Sequence, residues 1–318
     1  MHMTAVFISF LVSIIIIIIL LIMVKFLRAQ IEVLKPIVKT VENSKDIHYH
    51  YSLEDGGHYV YLSRNIDNIL GIGTYDEHIA NPNIVYEMVH HEDLLFFKKK
   101  EQGTAYFNEP MKYRLRHKDG HYVWLEEHVT PIYKDNKVVS VYGIYRNIST
   151  EMELKEVLRY KLTHDSLTNA YNRTFFDELF VKYNESVDDQ VGLVICDLDN
   201  LKQINDVHGH SVGDQYIKDA ASLLKSFEND SLYFIRIGGD EFVFFISGRP
   251  EEYLLNFKKS IEEKLLKFNG VYPIKMSIGY AYTDHSIGQL QKVFELADQH
   301  MYESKNSRSN AMGAKNAW

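Results

Sequence analysis

The sequence has little that would staple or strongly charge a fold. Cys196 is the single cysteine in 318 residues, so an internal disulfide framework and a cysteine-rich zinc centre are both excluded. It sits within an apolar run, where a thiol acts as a small core side chain. A chain without disulfides fits a reducing cytosol. Basic blocks are also lacking. The formal net charge is −8 and the isoelectric point about 6.0, which argues against DNA, RNA or another nucleic-acid polymer as partner.

One long uncharged run is present. Ala5 to Val24 contains twenty residues interrupted only by Ser9 and Ser13, the length needed to span a bilayer core. A signal peptide would have a shorter apolar stretch, preceding basic residues and a small-residue cleavage site. Here Lys25, Arg28, Lys35 and Lys39 follow the run instead. The excess of positive charge on that side predicts a single-pass anchor at residues 5–24 in the inner or plasma membrane, with the remainder cytoplasmic. Residues 25–45 form a juxtamembrane linker, helical until Pro36 bends or breaks it.

The length suggests about two domains after the anchor. Residues 46–150 read as short strands of an antiparallel sheet with one covered face. Met111 to His117 alternates apolar and charged residues, Lys118-Asp119-Gly120 turns the chain, and a second turn at Asp135-Asn136 leads into Val138 to Arg146. His90-His91, followed by Glu92-Asp93, reads as a turn before a helix rather than a metal or haem site. Tyr59, Tyr61, Tyr113, Tyr122 and Trp124 read as sheet packing. Residues 151–164 place Leu154, Val157, Leu158 and Leu162 on one helical face.

From residue 165 onward the chemistry concentrates. Gly238-Gly239-Asp240-Glu241 lies between two strand-like runs, Ser231 to Ile237 and Phe242 to Ile246, so it reads as a hairpin turn whose glycines supply positive φ. Val191 to Asn200 reads as a central strand ending in Asp197 and Asp199. If the two elements adjoin, Asp197, Asp240 and Glu241 converge. Such an acid cluster with oxygen-only ligands suits Mg²⁺ or Mn²⁺ and phosphoryl or nucleotidyl transfer. Helices are expected at Gly213–Phe227, Leu254–Phe268 and Ile287–Lys305, and a strand over Val271–Tyr282 beside the hairpin.

These motifs, together with Asp165-Ser166-Leu167-Thr168 through Asn172-Arg173, His208-Gly209-His210 through Asp214, Ser277-Ile278-Gly279 and Ala297-Asp298 through Lys305, resemble the GGDEF domain of diguanylate cyclases over residues 165–318. The Lys-Asp-Gly hairpin and the closing Asn147 to Thr150 make residues 46–150 similar to a PAS domain. The fold class implied is α+β: a transmembrane helix, a PAS antiparallel sheet domain, a helical linker at 151–164, and a cyclase domain with a central mixed sheet flanked by helices.

The resemblance implies condensation of two GTP molecules into cyclic di-GMP and two pyrophosphates by a homodimer. It assigns metal ligation to Asp197, the Leu198 carbonyl, Asp240 and Glu241, and catalysis to Asp240 and Glu241. Glu241 is either a second-ion ligand or an aid in deprotonating the attacking hydroxyl. Substrate binding falls to Asn205, His210, Asp214 and Lys305. The linker helix is expected to dimerise, and the PAS ligand is unknown from sequence. A flavin–cysteine adduct is excluded because Cys196 lies in the cyclase half.

Leu201 stands where the family has Phe, His208 where it often has Tyr, and Ser309 where it has Arg, with Arg308 one residue early. The family's Arg-x-x-Asp product-inhibition site falls on Asn229 to Leu232 and is absent. A second reading keeps the domain as a weak or inactive GTP-binding sensor or scaffold.

Overall fold

The computed structural model describes residues 2–95, 97 and 109–315, with side chains described from residue 15 to residue 307 within those spans. Two compact units divide at residues 154 and 155. Helix α1 runs His2–Glu42 and is not broken at Pro36. The ring removes a single N–H donor, and the residues around it are exposed, so water can serve the freed carbonyl. Among the described residues no helix is long and apolar enough to cross a membrane. Residues 5–14, the first half of the span expected at Ala5 to Val24, lie outside the described side chains.

In the first unit, strands β1 (Ile47–Ser52), β2 (His58–Leu62), β3 (Met111–Arg116), β4 (Tyr122–Lys134) and β5 (Lys137–Asn147) form one antiparallel sheet in the order β2-β1-β5-β4-β3. Short helices α2 (Asn65–Leu70), α3 (Thr74–Ala80) and α4 (Val85–Met88) lie between β2 and β3. The alternation in β3 buries Met111, Tyr113 and Leu115 and leaves Lys112 and Arg116 exposed, as a period of two requires. The β4–β5 turn places Asp135 and Asn136 at φ 49° and 64°, the doubly left-handed geometry that matches strand twist in a two-residue hairpin.

His90 sits in a turn, its carbonyl accepting from Asp93 N at 2.9 Å. Asp93 in turn holds Arg114 through its Nε and Nη2, both at 2.9 Å. The tyrosines do more than pack. Glu127 is fully buried and accepts from the Tyr49 hydroxyl at 2.5 Å and the Tyr113 hydroxyl at 2.9 Å. Burial and the neighbouring Glu127 carboxylate push both tyrosines well above their ordinary range.

Helix α5 (Ser149–Thr163) carries Leu154, Val157, Leu158 and Leu162, each half or more exposed. The second unit holds α6 (Arg173–Glu185), β6 (Val191–Leu198), α7 (Leu201–His208), α8 (His210–Lys225), β7 (Leu232–Arg236), β8 (Glu241–Ser247), α9 (Glu251–Leu266), β9 (Met276–Thr283) and α10 (Leu290–Lys315). Its sheet order is β7-β8-β6-β9.

Two expectations are corrected here. The named strands pair antiparallel throughout, so the sheet is not mixed; among the described residues, parallel pairing in this unit is confined to the bridge Tyr171–Ile235 at the β7 edge. The cause is the crossover through α7 and α8, which delivers the chain to β7 at the edge, from which the hairpin returns β8 antiparallel to β6. The strand expected beside the hairpin is β9, and it pairs instead with the opposite edge of β6. β6 is therefore buried along its whole length, which explains its unbroken apolar run.

Successive β6 residues feed two cores. Val194, Cys196 and Leu198 pack with α8 and α9 through residues such as Ile217, Ala220 and Leu254. Leu193 and Ile195 pack with α6 and α10 through Phe176, Ala297 and Met301. Burial pushes the Cys196 thiol up to about 12, so it is an inert core side chain.

Candidate active site

The last residue of β6 on the α10 side is Asp197, and its register places it directly opposite Glu241 on β8 and Ser277 on β9. Residues opposite each other across an antiparallel pair project to the same face. The sheet thus brings Asp197 and Glu241 together at one end, and Leu198 N donates to the Asp240 carbonyl at 2.8 Å, tying in the turn residue. Asp197 is only 6% exposed.

Helix α10 covers this end because of Gly279. A Cβ there would lie 2.1 Å from Met301 N and 2.2 Å from the Ala297 carbonyl, so only glycine lets the helix backbone rest on β9. Two turns along the same helical face from Ala297, Lys305 Nζ donates to Asp197 Oδ1 at 2.7 Å. That hydrogen bond is the main reason the Lys305 ammonium is held above its ordinary value, with Asp199 and Asp240 contributing charge. Lys305 therefore serves the acid cluster directly. Arg308 and Ser309 lie outside the described side chains.

The acids repel one another. Burial comes first among the causes that raise the Glu241 carboxyl, followed by the charges of Asp240, Asp197 and Asp298, with Lys305 opposing them. Asp199 lies just beyond β6. Its Oδ1 accepts from Ser277 Oγ at 2.9 Å, and its amide donates to the Lys275 carbonyl at 2.9 Å.

The turn itself departs from expectation. Neither Gly238 nor Gly239 has positive φ. A Cβ on Gly238 would lie 2.6 Å from Glu241 Oε2, whereas one on Gly239 would meet nothing within 4 Å. Gly238 makes room for a carboxylate rather than for a left-handed backbone.

Arg236, which sequence reasoning passed over as a strand residue, fixes the turn's shape. Its Nε donates to the Gly238 carbonyl at 3.1 Å, its Nη2 to the Gly239 carbonyl at 2.7 Å and its Nη1 to Asp165 Oδ1 at 2.9 Å. Asp165 also accepts from the Thr168 amide at 2.9 Å and hydroxyl at 2.7 Å. Burial alone would raise this carboxyl; the hydrogen bonds from Thr168 and Arg236 outweigh it and hold it below the usual range. The Asp-x-Leu-Thr segment therefore braces the acidic turn through one guanidinium. A basic residue two positions before a Gly-Gly turn is the only sequence signal for it.

Asn205, His210 and Asp214 form a separate corner on α7 and α8. Asn200, at φ 65°, turns the chain from β6 into α7, and Gly209, at φ 83°, turns α7 into α8. Tyr216 braces this region, its hydroxyl donating to the Asp199 and Pro273 carbonyls at 3.3 Å. Asn205 packs over Gly213, where a Cβ would lie 1.8 Å from Asn205 Oδ1. That oxygen is buried with no partner among the described residues. An unmet buried acceptor costs about 1–3 kcal/mol, so this oxygen carries unused hydrogen-bonding capacity. His210, the first residue of α8, and Asp214, one turn later, are exposed.

Comparison with known proteins agrees with this architecture. Residues 162–311 match the family model "Diguanylate cyclase, GGDEF domain" and residues 59–145 match "PAS fold". The probable diguanylate cyclase DgcT of Escherichia coli K12 is 32% identical over 155 residues, covering 46% of this chain and 34% of that protein. The diguanylate cyclase DgcM of the same organism is 27% identical over 183 residues, covering 54% of this chain and 44% of its own. The chain thus spans less than half the length of these curated relatives. Among solved structures, the coiled coil and GGDEF domain of DgcB from Caulobacter crescentus, in complex with c-di-GMP, is 25% identical with a TM-score of 0.44, covering 50% of this chain and 89% of that one. On the two family models, residues 59–145 carry a PAS fold and residues 162–311 a GGDEF domain of the diguanylate cyclase kind.

Proposed function

We propose that the protein is a membrane-anchored diguanylate cyclase that condenses two GTP molecules into cyclic di-GMP with release of two pyrophosphates. The observation that carries this is the convergence of Asp197, Asp240 and Glu241 at one sheet end, beside the Lys305 ammonium.

The donor set fits a hard divalent cation. Asp197, Asp240 and Glu241 face one ammonium, a formal excess of two negative charges among these four groups, and the Glu241 carboxyl is raised first by burial and then by its acidic neighbours. Asp197, Asp240 and the Leu198 carbonyl would hold Mg²⁺ or Mn²⁺, with Glu241 as a further ligand or as the group that takes the nucleophile's proton. When bound, such an ion lowers the pKa of the attacking 3′-hydroxyl and offsets charge on the α-phosphate oxygens. Lys305 adds a point charge at the same place.

At the α7–α8 corner, Asp214 would accept from guanine N1–H and the 2-amino group, and the unpaired Asn205 Oδ1 from a remaining donor, with His210 close by. Adenine lacks that donor edge, so a misfit base would leave the Asp214 carboxylate covered by the base yet without its donors. Each protomer would hold one GTP, which makes a homodimer necessary. The exposed Leu154, Val157, Leu158 and Leu162 on α5 supply an apolar stripe for that contact. The run from Ala5 to Val24 would anchor the chain in the inner or plasma membrane, leaving both domains cytoplasmic.

The test is incubation of the full chain with GTP and Mg²⁺, followed by chromatographic detection of cyclic di-GMP, with Asp240→Ala as control. Product from wild type alone is expected. GTP binding without product would replace the enzyme with a GTP receptor. Cell fractionation tests the anchor: recovery of the full chain in the soluble fraction would overturn it.

A further inference from the structure

The β3–β4 hairpin of the PAS-fold domain gathers three metal-ligating side chains that the proposed reaction does not use. His117, Asp119 and His121 each offer one ligand atom, and these atoms all lie within 4.8 Å of one another. Both imidazoles turn Nδ1 toward the same Asp119 Oδ1, His121 at 2.7 Å and His117 closer still. The two rings stack with centroids 4.4 Å apart and planes 21° apart.

The backbone beneath them is fixed. His117 N donates to the His121 carbonyl at 2.8 Å and Gly120 N to the His117 carbonyl at 2.9 Å, with Gly120 at φ 100°. Lys118 N donates to the Leu70 carbonyl at 2.9 Å, which docks the turn on the end of α2, and the Lys118 ammonium pairs with Glu77 on α3. The three side chains therefore project from a held scaffold, with only their own χ angles to adjust.

We propose that this turn is a binding site for a borderline divalent ion of the Zn²⁺ class, with His117 Nδ1, Asp119 Oδ1 and His121 Nδ1 as its three protein ligands. Two imidazole nitrogens and a carboxylate oxygen select such ions, whereas Mg²⁺ and Ca²⁺ prefer oxygen alone. Bonds of about 2.0–2.1 Å in a tetrahedron place ligand atoms roughly 3.3 Å apart. The His121–Asp119 pair must then open by about 0.6 Å and the closer His117–Asp119 pair by more. Three protein ligands on an exposed turn leave the fourth position to water.

The test titrates the full chain with Zn²⁺ against a chromogenic chelator in excess Mg²⁺, which occupies the oxygen-rich cyclase acids. Wild type is compared with His121→Ala, Asp119→Asn and His285→Ala. His285 is the control because it is an exposed histidine with one carboxylate, Asp188, at 3.0 Å. Wild type and His285→Ala are expected to bind one Zn²⁺ at least ten-fold more tightly than the other two variants. Co²⁺ substitution should give the intense visible bands of a tetrahedral site in wild type and lose them in His121→Ala. Equal stoichiometry and affinity across all four proteins would overturn the proposal. Circular dichroism checks that each variant is folded.

Discussion

Replacing Arg236 tests whether the Asp-x-Leu-Thr segment holds the acidic turn in place. Its guanidinium makes three hydrogen bonds, one to the Asp165 carboxylate and two to the Gly238 and Gly239 carbonyls. Hydrogen bonds to charged groups are each worth about 1.5–3 kcal/mol net. The Arg236 side chain is 11% exposed and Asp165 23%, so partial screening pulls the sum below even three times the lower figure. Arg236→Ala should therefore destabilise the cyclase domain by about 3 kcal/mol. Arg236→Lys, a point charge without the planar fork, should cost about 1–2 kcal/mol.

The effect on synthesis should exceed the effect on folding. The two lost carbonyl contacts free the turn that carries Asp240, and a displacement near 1 Å costs about a hundred-fold in rate. Chemical denaturation gives the first quantity and cyclic di-GMP production at saturating GTP the second.

Acid titration adds a signed check. Because the Asp165 carboxyl is depressed in the fold, its stabilisation is fully present above its unfolded value near 3.9 and is lost as pH falls through the lower folded value. The stability gap between wild type and Asp165→Asn should thus be flat above about pH 5 and close below about pH 4. Stability within about 0.5 kcal/mol of wild type together with undiminished synthesis in Arg236→Ala would refute the brace.

Gly279→Ala should lower stability by at least 1–3 kcal/mol and reduce synthesis, since its Cβ meets helix backbone rather than a movable side chain; a melting temperature equal to wild type would contradict this. Gly238→Ala and Gly239→Ala should each cost less than about 1 kcal/mol, because neither backbone is left-handed and the closest contact at Gly238 is the movable Glu241 carboxylate, with the Glu241 Cβ at 3.3 Å. A loss of several kcal/mol in thermal unfolding would restore the turn-geometry explanation. Val157→Asp with Leu158→Asp should lower cyclic di-GMP output and shift the chain toward monomer by light scattering, with GTP affinity kept; unchanged output would remove α5 from the dimer contact. With no Arg-x-x-Asp at Asn229 to Leu232, cyclic di-GMP should show no tight noncompetitive inhibition, and potent inhibition at low product concentration would sink that reading.

What could be read from sequence follows from where periodicity is strong. An eight-residue run buried on both faces, as in β6, leaves little choice but a central strand, and its terminal Asp197 then falls to the sheet end. Asp135-Asn136 was equally legible, because two residues that tolerate positive φ at a hairpin tip specify the turn locally. The Gly238-Gly239 pair carries the same local signal and misleads. Whether a glycine is there for its φ or for the space above it depends on a neighbour, here Glu241, that spacing cannot weigh.

Arg236 and Tyr216 are less visible still. Their roles exist only as reach from one element to carbonyls of another, and no period encodes such reach. Gly279 shows the same limit, since its need for a bare Cα arises from a helix that begins eleven residues later. The acids proposed to carry the chemistry are exposed to pattern because strands and turns present them; the groups that position them act through tertiary contact. The decisive mutations therefore lie in that second class, because changing Asp240 tests only the chemistry its residue type already implies, while changing Arg236 tests the arrangement.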